Sequence, residues 1–119
     1  MHKVPYNLRI ETSPGTTTLI SGQSYLLTCT IFLNEEENLE ASAVQWLNIT
    51  SYGTTSRINS NYQLSVSNLT GIGRNEYSLL LNFLEIETYH SGDYACRVEI
   101  DGIIRMNSVT ISVNRMSDS

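Results

Sequence analysis

Short segments rich in β-branched and aromatic residues divide this sequence, and they restrict its fold more than any other feature. Runs of Val, Ile, Thr, Tyr and Leu recur about every 8–12 residues between clusters of Gly, Asn, Ser and Pro. Apolar residues alternate with polar ones in several runs, as in residues 25–31 and 77–84, which is typical of strands with one buried face. Signals for helices are nearly absent. The pattern therefore predicts an all-β sandwich or barrel.

Two turn signals indicate how neighbouring strands connect. Asp101-Gly102 stands between the apolar runs 94–100 and 103–113, and Asp-Gly favours a two-residue hairpin because Gly accepts the positive φ of a type I′ turn. We expect these two runs to pair directly across the turn. Pro14 interrupts the start of the chain. Since proline donates no backbone hydrogen bond, it predicts an edge strand that bends or passes to a second sheet.

Length and charge limit the class of protein. The chain has 119 residues, which is the size of one domain. We expect a single domain over residues 1–119, with its core at about 6–113 and with 1–5 and 114–119 as flanking segments. Only 16% of the residues are charged and the net charge is −5 at pH 7. An acidic domain does not neutralise phosphates, which disfavours nucleic acid and anionic membranes as partners.

The two cysteines leave two interpretations open. Cys29 and Cys96 are 67 residues apart, neither sits in a Cys-x-x-Cys pair, and the chain has only two histidines, His2 and His90, so the sequence shows no zinc-binding pattern. The pair forms either a disulfide, as in secreted proteins, or two buried thiols, as in cytosolic ones. Residues 1–5 show no apolar signal-peptide run, and no stretch approaches the ~20 apolar residues that span a bilayer. These features fit either a cytosolic protein or one domain of a longer ectodomain.

The residues around the cysteines resemble the immunoglobulin superfamily. In that family the first cysteine lies on strand B, a tryptophan on strand C and a Tyr-x-Cys sequence on strand F, and Cys29, Trp46 and Tyr94 with Cys96 stand at fitting distances. The resemblance implies an immunoglobulin-like Greek-key β-sandwich whose two antiparallel sheets are joined by a Cys29–Cys96 disulfide. It also implies that the Trp46 indole packs on this disulfide and that Tyr94 forms the tyrosine corner. The family's strand E pattern is matched by Leu81, Phe83 and Ile86.

Three departures from the variable-set pattern argue against an antibody or a T-cell receptor. His90 replaces the usual aspartate six residues before the second cysteine, Asn48 replaces the usual arginine, and the Phe-Gly-x-Gly motif of the last strand is missing. The resemblance instead implies an extracellular protein-recognition module of a cell-surface receptor, such as a receptor tyrosine kinase, or of an adhesion molecule. Two alternatives remain open. One is a secreted immune-type recognition protein, and the other is an intracellular structural domain of a muscle or cytoskeletal giant protein, in which the cysteines stay reduced.

Side chains for catalysis or metal binding are scarce. His90, Ser91 and Asp93 are close in sequence, but they lie in the turn before strand F, so we interpret them as structural rather than as a catalytic triad. We expect His90 to cap or hydrogen-bond that turn, and if it is buried and neutral beside Asn48, its pKa is lowered. The acidic segment 35–40 offers carboxylates to a cation, yet calcium needs several converging oxygens, and we interpret the segment as a solvated loop. We expect no enzyme activity, no cofactor and no bound metal.

The predicted strand directions define one candidate interface. Leu47 and Ile49 face away from Trp46, toward the outside of the sheet that contains strands G, F and C, which is a common dimer or ligand surface in related receptors. The candidate partner-binding residues on this face are Leu47, Ile49, Arg97, Glu99, Ile104 and Met106. An apolar centre with a charged rim is the anatomy of a protein interface, so we expect a protein ligand or a weak homodimer. The alternatives are that the next strand, C′, covers Leu47 and Ile49, or that Leu80 and Leu84 on the opposite sheet form the patch.

Two acceptor sequences for N-linked glycans fit a secreted or cell-surface protein. Asn48 and Asn68 each begin an Asn-x-Thr sequence. Asn48 lies two residues after Trp46, so we expect its side chain to face inward and to remain unmodified. We expect a glycan at Asn68, at the start of a loop that includes residues 71–73.

Overall fold

The strands follow the alternation of the sequence. The structure is a computed structural model that describes residues 6–34 and 39–116. Within these ranges the chain forms ten strands and two single-turn 3₁₀ helices, and neither turn is long or apolar enough to cross a membrane. The strands are β1 (Tyr6–Ser13), β2 (Thr18–Ile20), β3 (Tyr25–Leu33), β4 (Val44–Ile49), β5 (Thr55–Arg57), β6 (Leu64–Val66), β7 (Thr70–Gly73), β8 (Glu76–Phe83), β9 (Gly92–Ile100) and β10 (Ile103–Asn114). The 3₁₀ turns cover Ala41–Ala43 and Thr88–His90.

The strands form two sheets that enclose the core. The first sheet has the order β1-β3-β8-β6, with β7 also pairing with β8, and the second sheet has the order β2-β10-β9-β4-β5. Every pairing is antiparallel except the one between β2 and β10. Pro14 separates β1, in the first sheet, from β2, in the second. The predicted passage of the first strand between the sheets is therefore confirmed.

The core is centred on the disulfide. Cys29 on β3 and Cys96 on β9 are bonded, with 2.04 Å between the sulfurs. Trp46 lies directly opposite Cys96 in the register of β4 with β9, and its buried indole Nε1 donates a 3.0 Å hydrogen bond to Leu79 O of the first sheet. The other residues of the family signature are also buried: Leu81, Phe83, Ile86 and Tyr94. The all-β sandwich and the disulfide are therefore confirmed.

The turn before β9 is held by a buried tyrosine. The Tyr94 hydroxyl donates a 2.6 Å hydrogen bond to His90 O, which is the arrangement of a tyrosine corner. The ring of Tyr94 meets that of Phe83 edge-on, with the centroids 5.5 Å apart. Burial raises the pKa of Tyr94 to about 12, so the phenol is neutral at physiological pH and keeps its donor hydrogen.

Strands β9 and β10 form a long regular hairpin. Asp101 and Gly102 have positive φ angles of 52° and 77°, as a type I′ turn requires, and Ile100 pairs with Ile103 across the turn. The register continues without a bulge along the whole of β9. The hairpin prediction is confirmed, and it decides which side chains of β10 share a face with those of β9.

The interpretation of residues 71–73 as a loop is wrong. Strand β7 includes them and pairs with β8, with an irregularity between Gly71 and Gly73. Strand β7 has a single large apolar side chain, Ile72, and is held by backbone pairing. The sequence therefore shows no alternation of apolar and polar residues at this strand. Asn68 consequently lies between β6 and β7, which pair with the same strand, rather than at the start of a loop that leads to β8.

Candidate recognition surface

The outer face of the second sheet is the side that looks away from the disulfide. Trp46 and Cys96 are directly opposed and face inward, so the residues next to them in each strand face outward. The directly opposed pairs on the outer face include Leu47 with Ala95, Ile49 with Asp93, Met106 with Arg97, and Ile104 with Glu99. The structure therefore brings all six candidate partner-binding residues to one face.

Leu47 is not available to a partner, and this corrects one expectation. Only 6% of its surface is exposed, and Ile49 is half-buried. Because β4 is an inner strand, Leu47 has Ala95 of β9 on one side and Arg57 of β5 on the other, and these neighbours leave little of it accessible. The alternative in which the strand after β4 helps to cover Leu47 therefore holds.

Two neighbouring exposed apolar side chains of the outer face lie on β10, near the hairpin turn. Ile104 is 54% exposed and Met106 is 48% exposed, and together they form the β10 patch. Beside them on β9, Arg97 Nη2 and Glu99 Oε1 form an ion pair at 2.9 Å. An ion pair in contact with water adds little to stability, but this one places charge next to the patch. The arrangement is a small version of the apolar centre and polar rim of protein interfaces.

The outer face next to the β10 patch is polar, and the exposed side chain of Ile20 on β2 lies at the far end of the sheet. Toward the other end of the hairpin, Thr110 Oγ1 donates a 2.6 Å hydrogen bond to Asp93 Oδ1. At the opposite edge of the sheet, all three residues of β5 are exposed, and they are Thr55, Ser56 and Arg57. The neighbouring pair of exposed apolar side chains on this face is therefore at the hairpin end.

Exposed apolar residues of the first sheet are dispersed. Ile72 on β7 is 52% exposed and Leu84, just after β8, is 54% exposed, whereas Leu80 is half-buried. Ile72 lies beside the start of β8 and Leu84 follows its end. Since the length of β8 separates them, these side chains do not form a patch.

The three residues that suggest a catalytic triad have separate structural partners. Nδ1 of His90 accepts a 2.8 Å hydrogen bond from the Glu87 N–H. Oγ of Ser91 accepts one of 2.8 Å from the Val113 N–H, and Asp93 is engaged on the outer face. Each side chain therefore supports a different part of the fold.

His90 is buried and hydrogen-bonds within the turn before β9, as expected. Its ring meets Phe83 edge-on at 5.3 Å, and its hydrogen bond goes to the backbone of Glu87 rather than to Asn48. Desolvation lowers the pKa of His90, and the Glu87 carboxylate opposes this in part. The unprotonated Nδ1 that accepts the hydrogen bond requires the neutral ring, in agreement with the lowered pKa.

The two glycan acceptor sequences lie in different surroundings. Asn68 is exposed between β6 and β7. Asn48 is half-buried and lies directly opposite Tyr94 in the register of β4 with β9, so it shares the inward side of the sheet with a buried residue. The space between two packed sheets does not accommodate a glycan.

Most of the acidic segment falls outside the described residues. Residues 35–38 belong to that part, whereas Glu40 is described and exposed. Over residues 6–34 and 39–116, no group of three His, Cys, Asp or Glu side chains is placed to hold a metal ion.

Tyr6 joins the two sheets at the hairpin end, and sequence analysis did not identify this role. Its buried hydroxyl lies 2.9 Å from Val98 O and 2.7 Å from Ile103 O. The guanidinium of Arg105 lies over the same ring, 5.7 Å from its centroid. More than ninety positions separate Tyr6 from these partners in the chain, so no local pattern indicates the contact.

Comparison with known proteins gives a structural likeness without a sequence match. No protein-family model matches the chain, and no curated protein sequence matches it. The BTLA ectodomain superposes with a TM-score of 0.64 at 19% identity, over 82% of this chain and 88% of that chain. The chain has an immunoglobulin-like fold.

Two further solved structures show the same fold in other settings. A chimeric titin Z1Z2 matches this chain with a TM-score of 0.63 at 17% identity, over 94% of this chain and 97% of that chain. The N-terminal eight immunoglobulin domains of the Down syndrome cell adhesion molecule match with a TM-score of 0.64 at 17% identity, over 95% of this chain and 13% of that chain. At such identities the likeness shows the fold alone.

Proposed function

We propose that this domain is a protein-recognition module of a cell-surface receptor or adhesion molecule, and that it binds a protein through the outer face of the second sheet. The observation that supports this proposal is the β10 patch. Ile104 and Met106 are about half exposed on a regular sheet face, next to the Arg97–Glu99 ion pair. Removing such side chains from water favours association by about 25 cal/mol for each Å² of apolar surface.

The Cys29–Cys96 disulfide and the exposed glycan acceptor Asn68 support a location outside the cell. Disulfides persist in oxidising compartments and are rare in the cytosol, so the Cys29–Cys96 bond favours an ectodomain over an intracellular structural domain. The exposed glycan acceptor at Asn68 fits the same location. The BTLA ectodomain and the Down syndrome cell adhesion molecule have this fold in receptor and adhesion settings, whereas titin supplies the structural alternative.

We infer that the partner is a second copy of the domain. A flat sheet face allows two copies to meet across a two-fold axis, which is the commonest symmetry of homo-oligomers. A standard interface buries about 1,600 Å² in total, and the β10 patch comprises two apolar side chains. We therefore expect a dissociation constant in the micromolar range or weaker, which an array of such domains on a membrane would strengthen through avidity.

A charge placed in the β10 patch tests this proposal. Met106→Glu puts a carboxylate where the interface excludes water, while Arg97, directly opposite, offers it an ion partner in the monomer. We expect the variant to remain folded and to lose the concentration-dependent increase in sedimentation coefficient that the wild type shows. Ile72→Glu is the matched control, because it changes a side chain of similar exposure on the first sheet.

The outcomes separate three cases. Loss of association with Met106→Glu but not with Ile72→Glu supports the outer face. Loss with Ile72→Glu alone moves the interface to the first sheet and contradicts the proposal. A wild-type protein that remains monomeric at every concentration contradicts the second copy as partner, and leaves the outer face to a different protein.

A further inference from the structure

Strand β10 has one open edge over most of its length. On one side it pairs with β9 from Ile103 to Ile111. On the other side it pairs with the three-residue strand β2, at Ser112–Asn114. Among the described residues, no strand lies beside the second edge of β10 from residue 103 to residue 111.

The backbone of four alternate residues points out of this edge. In a two-residue hairpin the residues next to the turn exchange hydrogen bonds, so Ile103 and every second residue after it bond to β9. The backbone N–H and C=O groups of the intervening residues point away from β9. The hydrogen bonds at the end of β10 show this direction, because the Ser112 N–H donates to Thr17 O and Asn114 O accepts from the Ser21 N–H, both at 2.8 Å. The outward groups without a strand partner are those of Ile104, Met106, Ser108 and Thr110.

A cleft follows the same edge, where the two sheets diverge between β1 and β10. Its volume is about 340 Å³, and it is lined by Asn7, Leu8, Ile104, Arg105, Met106 and Asn107. Asn107 Nδ2 donates a 2.7 Å hydrogen bond to Leu8 O, which links the edges of the two sheets. A strand added beside β10 would lie over this cleft and point alternate side chains into it.

Arg105 supplies an unused donor in the cleft. Its Nε is shielded from water and has no acceptor among the described residues. The described ion pairs involve Arg9 and Arg97, and none includes Arg105. Leaving such a donor unsatisfied is costly, and a carboxylate is the strongest acceptor for a guanidinium.

We propose that the open edge of β10 binds an extended peptide segment of a partner protein, and that this segment inserts an Asp or Glu side chain into the cleft toward Arg105. Backbone pairing along residues 104–110, roughly 23 Å of strand, supplies affinity, and the carboxylate supplies specificity. A second copy of β10 does not fit, because β10 contains no acidic residue. The site goes beyond the proposed function, since it uses the edge and the inter-sheet cleft rather than the outer face.

Amide hydrogen exchange tests whether the edge is free. In the protein alone, the amides of Met106 and Ser108 should exchange rapidly, whereas those of Arg105 and Asn107, bonded to β9, should exchange slowly. Slow exchange of Met106 and Ser108 in dilute protein overturns the proposal. Slow exchange that develops as the protein concentration rises assigns the edge to a second copy and also overturns it.

The binding probe is a capped nonapeptide of alternating threonine and valine with one central glutamate and a lysine at each end. Its counterpart has glutamine at the centre. We expect the glutamate peptide to slow the exchange of Met106 and Ser108 and to bind about fivefold or more tightly than the glutamine peptide, as charge-assisted hydrogen bonds exceed neutral ones. Equal affinities, or no slowing by either peptide, overturn the proposal.

Two pairs of variants locate the binding. Arg105→Gln should reduce the affinity for the glutamate peptide to that of the glutamine peptide, whereas Arg9→Gln, which removes an exposed arginine of β1, should not. Ser108→Pro removes an outward N–H while leaving the ladder to β9 intact, and should abolish binding, whereas Ser108→Ala should not. Unchanged affinity in Arg105→Gln overturns the proposal even if Ser108→Pro fails to fold. Arg105→Gln distinguishes this site from the outer face, because Arg105 pairs with inward-facing Val98 and does not belong to the β10 patch.

Discussion

Replacing Tyr94 with phenylalanine isolates one buried hydrogen bond. Phenylalanine keeps the ring that meets Phe83 edge-on at 5.5 Å and removes the hydroxyl that donates to His90 O at 2.6 Å. Tyr94 is only 3% exposed, so water cannot take the place of the hydroxyl. A buried carbonyl left without a donor costs about 1–3 kcal/mol. We therefore expect Tyr94→Phe to lower the free energy of unfolding by about 2 kcal/mol.

Tyr25→Phe is the matched control, because the Tyr25 ring is as buried as that of Tyr94 but the carbonyl that accepts its hydrogen bond belongs to Thr16, which is exposed to water, rather than to a buried residue such as His90. The Tyr25 hydroxyl donates to Thr16 O at 2.8 Å in a part-buried position, where solvent replaces a lost donor, and we expect a loss of about 0.5–1 kcal/mol. Urea unfolding followed by the fluorescence of Trp46, the single tryptophan, measures both variants. Equal losses in the two variants, or less than about 0.5 kcal/mol for Tyr94→Phe, would refute the argument.

The same substitution has a consequence at high pH. Burial raises the pKa of Tyr94 to about 12, above the ordinary value of about 10. A group whose pKa is raised on folding contributes stability that is complete below the unfolded pKa and is lost as the pH rises through the folded pKa. A rise of about two pKa units means that ionising the buried phenol costs the folded state roughly 2.7 kcal/mol more than it costs the unfolded state. The stability difference between wild type and Tyr94→Phe should therefore narrow as the pH rises from about 10 to about 12, and a constant difference would contradict this account.

Two further outcomes follow from buried polar side chains. Desolvation lowers the pKa of buried His90, so below the unperturbed value of about 6.5 the unfolded state binds more protons and stability falls with pH. The melting temperature of the wild type should drop more than that of His90→Gln between about pH 7.5 and about pH 5, and equal drops would contradict the buried neutral ring. In a eukaryotic secretory host, peptide mapping should find a glycan at exposed Asn68 and none at inward-facing Asn48, whereas a modified Asn48 would contradict its orientation.

Much of the fold could be predicted from local signals, because each of these signals acts within a few residues. Asp101-Gly102 fixes the register of β9 and β10, since both positions need positive φ angles. Pro14 marks the point where the first strand changes sheets. The Tyr-x-Cys sequence at Tyr94 and Cys96 places the disulfide and the tyrosine corner together.

The candidate site was less predictable, because exposure depends on neighbours that are distant in the chain. The two-residue period of a strand predicts which face of β4 carries Leu47. The burial of Leu47, in contrast, depends on β5 and β9, which lie on either side of β4. Strand β7 is held by backbone pairing to β8. The pattern of side chains in a sequence does not predict such pairing. The contact of Arg105 with Tyr6 crosses from one sheet to the other, and no spacing rule predicts it.

The two proposed surfaces meet at the hairpin end of β10 and are able to act together. Met106 presents its side chain on the outer face, about half exposed, while its backbone N–H and C=O point toward the open edge. A peptide strand bound at that edge would extend the second sheet by one strand, and its outward side chains would lie next to Ile104 and Met106. The apolar area available to a second partner would then grow beyond the two side chains of the β10 patch. Binding at the edge should therefore strengthen association through the outer face when the added strand carries apolar side chains outward, and leave it unchanged when those side chains are polar.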